Sequence, residues 1–410
     1  MIMKRKLIRL PISHTAIQGY MLLAFISIAI KVPLVMYCYK YGYLPQNWEL
    51  AASDSFNYIY KVVNGTADYF IFGQHWLYEF LNRIMYSITN DANQTVLYMS
   101  FINVVLSMLL PILLIPALTY FLPEGPKRNR CFLLISFFLL FWPTAIYLSI
   151  QNLKDIFLAI LVCVYISMYL QLFKKDNPRF TMPSIILFIF LCYLIYSLRS
   201  YTALILIAAT IAHYIWVTRN LKAMLVICLL GLIILVTPAG EKIIPYLNYD
   251  NNWLINPQAL RQYNLTLISQ GSPPMELYTT PTTITYGLFR TIFNPLPNID
   301  NRNIFEYLLC LRTLILSLFL LFFLAAIVKW RDPLKSWFLT ILGLHLIFYS
   351  VIPTYSGPRQ LFPGIEIIFL LILSYFIVQR QKNDNLVISI CGGLLCISLF
   401  MLFTARSWLL

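Results

Sequence analysis

The sequence predicts an all-α, polytopic integral membrane protein, and three observations carry that prediction. Apolar residues make up 60% of the 410 positions and charged residues only 11%, whereas a soluble domain carries about 25% charged residues to wet its surface. The mean hydropathy is +0.74. Apolar runs close to the roughly 20 residues that cross a bilayer recur along the chain, at about 16–39, 95–121, 131–150, 156–172, 183–198, 201–217, 223–239, 305–327, 337–352, 364–378 and 386–404. They predict about eleven transmembrane helices (10–12) in one integral membrane domain over 1–410.

The first run follows a basic segment, Met1–Pro11, with no small-residue cleavage site, and reads as a retained first helix rather than a removed signal. Pro111 and Pro116 break the second run and Pro143 kinks the third. Orientation follows from charge. With the N-terminus cytoplasmic and sides alternating, the inside segments hold 17 of the 30 basic residues and 4 of the 16 acidic ones. Every short inside turn is basic, as the positive-inside rule requires. The C-terminus then falls outside.

Two long external segments remain, 40–95 and 237–304, and loops of that length are uncommon without a task. In the first, Ser53 is a cap for a short helix to Val63. Trp76, Leu77, Phe80, Leu81, Ile84, Met85 and Ile88 then form a stripe at helical spacing, with Glu79, Asn82, Arg83 and Ser87 off it. Such a helix lies along the membrane interface. In the second, Asn256-Pro257 opens a helix over Gln258–Ile268, and an amphipathic piece, Thr282–Phe293, stops before Pro295 and Pro297.

The net charge of +14 is a topology signal in such a chain, so no nucleic-acid partner is expected. The eight cysteines fall mostly inside apolar runs without a CxxC, which indicates neither a disulfide framework nor a metal knuckle. His14, His75, His213 and His345 are scattered without metal-ligand spacing. No metal and no cofactor are expected. P-loop, GxSxG and dinucleotide fingerprints are missing from the sequence.

Chemistry is sought where charge meets apolar sequence. The run Phe141–Asp155 ends in Lys154-Asp155 with almost no loop before the next span; Arg199 lies in the turn Ser197–Tyr201, and Arg359 in Tyr355–Gln360. The predicted topology puts all three turns on the external side. An ionisable group near membrane depth is a functional candidate by default. The structural readings are a local ion pair for Lys154-Asp155 and snorkelling to the interface for Arg199 and Arg359. The functional reading rests on the planar guanidinium, which binds phosphate with two hydrogen bonds. Arg290 lies on an amphipathic face, and Arg312 begins a span from which it snorkels; Arg261 is a further external charge. Lys31 and Glu366 read as structural. Asp54 either favours a helix start through its charge or acts as a general base, and His75 offers the same chemistry. Tyr201 adds an aromatic face beside Arg199. Arginines to hold a phosphate-linked leaving group, rings to stack on sugars, and a carboxylate or histidine to activate a hydroxyl suit glycosyl transfer from a polyprenyl-linked donor.

Phe141–Asp155, Leu198–Tyr201, Phe289–Pro297 and Gly357–Pro363 resemble segments of bacterial oligosaccharide repeat-unit polymerases of the Wzy type, which build O-antigen or capsule. The resemblance spans most of 130–370. It implies block transfer of an undecaprenyl-diphosphate-linked glycan onto another repeat unit at the outer face of the bacterial inner membrane, without a metal. Arg199, Arg290 and Arg359 are the implied leaving-group binders, with Lys154 and Tyr201 beside them and Asp54, His75 and Asp155 as catalytic candidates. The implied partners are the lipid-linked donor and acceptor, membrane lipid, a chain-length regulator and a flippase. Two other readings stand beside it. A GT-C glycosyltransferase using a polyprenyl-phosphate sugar has an acidic residue in a first external loop, as Asp54 is placed here. A glycolipid flippase or transporter forms no glycosidic bond at all.

Overall fold

The computed structural model describes residues 11–40, 53–65, 75–173, 182–218, 335–351 and 358–379, with isolated positions between 261 and 327. Among these residues every regular element is helical and no strand occurs. The chain divides into two units, one of Met1–Leu204, Pro295–Trp330 and Pro358–Leu410, the other of Ile205–Asn294 and Arg331–Gly357.

In the first unit, α1 (His14–Lys40) packs against α4 (Ala92–Ser107) and α7 (Pro126–Phe141). Gly19 permits the approach to α7, because a Cβ there would lie 2.9 Å from Leu133 Cδ2; small residues let membrane helices come close. Polar side chains add direct links. Ser27 donates to the Leu140 carbonyl, and the fully buried Lys31 donates to the Ser107 hydroxyl at 2.9 Å.

The segment 40–95 contains the two helices expected of it, α2 (Ser53–Val63) and α3 (Trp76–Thr89). Ser53 stands at the first position of α2 rather than before it. On α3, Phe80, Ile84 and Ile88 are exposed while Tyr78, Glu79 and Asn82 are buried. That arrangement is inverted for a helix in water and suits one whose apolar face meets lipid. Asn90, at φ 50, ends α3 with its amide on the Tyr86 carbonyl, and Asp91 caps α4 by accepting from the Gln94 amide at 2.8 Å. A two-residue turn therefore folds α4 back on α3.

The stretch Ala92–Phe121 continues from α4 through α5 (Leu109–Leu113) and α6 (Ile115–Phe121). It breaks at Met108 and Leu114, just ahead of the two prolines. α7 and α8 (Pro143–Ser149) meet at Trp142 with a bend of 55°, so Pro143 kinks the third run as expected. Then come α9 (Asp155–Phe173), α10 (Met182–Leu198) and α11 (Ser200–Thr218), which match three further apolar runs. The chain passes into the second unit within α11. α12 (Lys335–Val351) belongs to that unit; its Trp337 and Phe338 are buried, and the Trp337 indole donates to Thr210 Oγ1 at 3.1 Å. Back in the first unit, α13 (Pro358–Leu361) runs through a π turn, Phe362–Glu366, into α14 (Ile367–Gln379).

Among the described residues three stretches are long and apolar enough to cross a membrane: His14–Lys40, Ala92–Phe121 and Phe362–Gln379. The bent pair Pro126–Phe141 and Pro143–Ser149 makes a fourth if it is one span. The chain thus has the helices of a membrane protein. The expected spans at 223–239 and 386–404 lie outside the described residues.

Candidate functional site

The site grows from three polar turns of the first unit. His75 stands just before α3 with φ 74 and ψ −4, in the left-handed region. That conformation costs a residue with a Cβ about 1–2 kcal/mol, and residues held in it collect at functional sites. The neighbours that hold it are clear. The His75 amide donates to the Ser197 carbonyl at 2.6 Å, and the His75 carbonyl accepts the Tyr78 and Glu79 amides at 2.9 and 3.0 Å. Tyr58 of α2 packs edge-on against His75 and Tyr78, with ring centres 6.0 and 5.1 Å away.

Lys154 and Asp155 do not form a closed local pair, as the structural reading of the sequence had them; each reaches to another element. Lys154 hydrogen-bonds His75 Nδ1, with Nε2 at 3.3 Å, and lies 5.9 Å from the centre of the Tyr58 ring. Asp155 is ion-paired with Arg199. Lys154, Asp155 and Arg199 are 4%, 1% and 5% exposed. Arg199 therefore does not snorkel: it points inward, onto a carboxylate. Two cations at that separation repel, so the contact requires one member of the Lys154–His75 pair to be uncharged.

The third turn arrives at the same place. Arg199 Nη1 lies 3.5 Å from the main-chain carbonyl of Gln360 in α13, and its Cζ is 5.6 Å from the centre of the Tyr201 ring. The turns of Lys154-Asp155 and Arg199 thus meet, joined by His75, and Gln360, next to Arg359, lies against Arg199. Arg359 and Asp54 lie in α13 and α2, their side chains outside the described residues; Arg290 lies outside them altogether. Arg261 is exposed.

Under the charges lies a neutral network that sequence reasoning missed. Tyr78 Oη donates to Asn152 Oδ1 at 2.7 Å, Asn152 Nδ2 to Asn82 Oδ1 at 2.8 Å, and Asn82 Nδ2 to the Tyr78 carbonyl at 2.9 Å. Asn103 Nδ2 donates to the carbonyls of Gln151 and Leu153 at 2.7 and 2.9 Å. Asn82, Asn103 and Asn152 are fully buried. Burial above all pushes the Tyr78 hydroxyl well above the usual tyrosine range; its hydrogen bond with Asn103 opposes this, and the Asp155 charge adds to it. The available signal was Asn103, an amide in the middle of an apolar run. Gln151 is 1% exposed, and neither end of its amide has a hydrogen-bond partner among the described residues.

A second buried charge pair braces the site. Arg312 Nε donates to Glu366 Oε1 at 2.7 Å, and the Trp142 indole donates to the other oxygen at 2.5 Å. Arg312 and Glu366 are 1% and 0% exposed, so Arg312 faces the protein interior and not the interface. Its carboxylate partner ends the π turn Phe362–Glu366, and Trp142 sits at the 55° bend. The Trp142–Glu366 bond ties the segment leaving Gln360 to the one leading to Lys154. Single π turns within helices are frequent at functional sites.

Comparison of the chain with models of known protein families, with curated proteins and with solved structures finds no match.

Proposed function

We propose that the chain is a glycosyltransferase of the bacterial inner membrane that joins undecaprenyl-diphosphate-linked oligosaccharide repeat units into O-antigen or capsular polysaccharide at the outer face. One observation carries this reading: Lys154 and Arg199, two buried cations, lie with His75 and Asp155 where three turns of an apolar helical protein meet. Two buried cations beside an imidazole suit a substrate that is a lipid-linked diphosphate and needs a base.

The reaction then runs as follows. A hydroxyl of the acceptor repeat unit attacks the anomeric carbon of the donor glycan. The bond from that carbon to the diphosphate oxygen breaks, and undecaprenyl diphosphate leaves with the electron pair. Lys154 shifts its ammonium onto the leaving phosphates, beside the Arg199 guanidinium that Asp155 holds in place. His75 Nδ1, released by Lys154, takes the proton of the attacking hydroxyl. Fixed cations aimed at developing charge are a large contribution to catalysis, and a positioned base adds about 10²–10⁴-fold. Arg290 and Arg359 are further diphosphate contacts in this reading, and Asp54 stays the alternative base.

The test is the surface glycan of a strain lacking the chain, complemented with variants. Arg199→Ala and His75→Ala should leave glycan with one repeat unit and no ladder. Loss of a single sugar from the repeat, with Asp54→Asn as the damaging change, would overturn the polymerase reading in favour of a GT-C transferase. Movement of labelled glycolipid between leaflets without a new glycosidic bond would replace both with a transporter.

A further inference from the structure

Asn103 sits near the middle of the apolar stretch Ala92–Phe121 and is fully buried. A carboxamide there is costly unless its hydrogen bonds are made. Its donor end makes them, mostly to main chain: Nδ2 donates to the Gln151 carbonyl at 2.7 Å and to the Leu153 carbonyl at 2.9 Å, with Tyr78 Oη at 3.4 Å, while the buried Oδ1 has no hydrogen-bond partner among the described residues. These carbonyls belong to the short non-helical turn between α8 and α9, where the regular ladder stops. That turn ends in Lys154 and Asp155. Its one internal main-chain bond runs from the Leu153 amide to the Gln151 carbonyl at 2.9 Å, and the Asn103 amide ties its backbone carbonyls to another helix.

We propose that Asn103 is a positioning residue: from α4 it clamps the Gln151–Leu153 backbone so that Lys154 meets His75 and Asp155 meets Arg199. Asn152, between the two clamped carbonyls, points its amide the other way, accepting from Tyr78 and donating to Asn82 of α3. The turn is therefore gripped by α4 through its backbone and by α3 through a side chain, and α3 is the helix that His75 leads into. Among the described residues Asn103 hydrogen-bonds to Tyr78 and to the Gln151 and Leu153 carbonyls and to none of the four charged or ionisable groups, so it acts through the backbone that carries two of them. The inference deepens the proposed transferase reading and rests on it for its kinetic part only.

The experiment uses the full-length protein in lipid vesicles and two readouts. In Asn103→Leu, the shape is kept and the donors are lost. Hydrogen–deuterium exchange of the peptide covering 150–156 should quicken at least about tenfold, since two buried carbonyls lose their donor, while α1 and α14 exchange as before. Transfer of a lipid-linked repeat unit should lose about 100-fold in kcat with KM within about threefold, the penalty expected for misplacing catalytic groups by about 1 Å. Asn103→Gln, which keeps a carboxamide on a longer arm, should recover part of both. Unchanged exchange at 150–156 would overturn the clamp. Faster exchange with an unaltered kcat would overturn the positioning role. Exchange quickened throughout the protein would show a general loss of fold and overturn the specific claim. If the wild-type protein transfers no glycan, the transferase reading fails, and the exchange measurement still decides the clamp.

Discussion

Consider a double-mutant cycle at Asp155 and Arg199. Asp155→Asn keeps the side chain's outline and removes its charge, leaving a guanidinium that is 5% exposed beside an amide. Arg199→Gln is the mirror case, leaving a carboxylate that is 1% exposed without its cation. Removing one partner of a buried pair costs about 3–5 kcal/mol, mostly for the charge left behind, whereas replacing both together is often close to neutral. Independent effects would therefore sum to about 6–10 kcal/mol in the double variant. A coupled pair predicts about 1–3 kcal/mol instead, including about 0.5–1 kcal/mol for the lost stacking on Tyr201. The coupling energy is thus at least about 3 kcal/mol, far beyond the roughly 0.5 kcal/mol scatter of additive sites. Denaturant titration of the detergent-solubilised protein, followed by loss of helix and of tryptophan emission, measures all four corners. A double variant whose cost equals the sum of the singles within about 0.5 kcal/mol would refute the buried pair.

Four further outcomes follow. His75→Asn and His75→Val both lose the ring contacts with Lys154 and Tyr58, but Asn tolerates the left-handed backbone, so the Val variant should be less stable than the Asn variant by about 1–2 kcal/mol; melting curves of the two separate backbone strain from ring contacts. Lys61, 43% exposed, pairs with Glu79, 1% exposed, at 3.0 Å, so Lys61→Ala leaves a buried carboxylate without its cation and should cost more than the roughly 1 kcal/mol of an exposed pair by the same titration. Trp142→Phe removes the donor to Glu366 Oε2 and should cost about 1–3 kcal/mol, with Arg312 still in place. The Tyr78 hydroxyl is held protonated, its folded pKa raised chiefly by burial. Its contribution is complete below the unfolded value of about 10 and is lost as pH rises beyond it. Wild-type protein should therefore lose stability in alkali more steeply than Tyr78→Phe, which equal slopes above about pH 10 would refute.

Much of the scaffold was legible because apolar length and proline act locally. The run at 131–150 and its kink follow from hydropathy and from Pro143, whose ring cannot sit in a continuous ladder. The hairpin of α3 and α4 turns on Asn90 and Asp91, a left-handed terminator beside a helix cap, which the sequence reading did not single out. The cluster of Lys154, Asp155 and Arg199 was legible as a class, since charge in apolar sequence has few places to go. Their pairing was not. Adjacency in sequence suggested that Lys154 and Asp155 neutralise each other, but neighbouring residues at a helix start point to different sides. Only the tertiary arrangement supplies His75 for one and Arg199 for the other. The backbone of His75 was equally hidden, because the carbonyl that stabilises it belongs to Ser197, 122 positions away. Arg312 and Glu366 were read singly for the same reason; 54 residues separate them.

Irregular backbone marks the same region as the charges. His75 is left-handed, the α7–α8 bend lies at Trp142, the turn before α9 is non-helical, and the π turn ends at Glu366. In hydrocarbon, a main-chain group without a partner costs several kcal/mol, so departures from the helical ladder survive only where protein or water satisfies them. Here the satisfying groups are named: the Ser197 carbonyl for His75, Asn103 for Gln151 and Leu153, and Arg199 for Gln360. Each rescue joins two of the three turns or ties one to α4 or to the start of α3. A protein that needed these helices only as a scaffold would keep its ladders intact and its asparagines elsewhere. The broken ladders and buried amides together place Lys154, His75, Asp155 and Arg199 within reach of one another, and that is the reason to look for chemistry there and not at the isolated charge of Lys31, which a single serine accommodates.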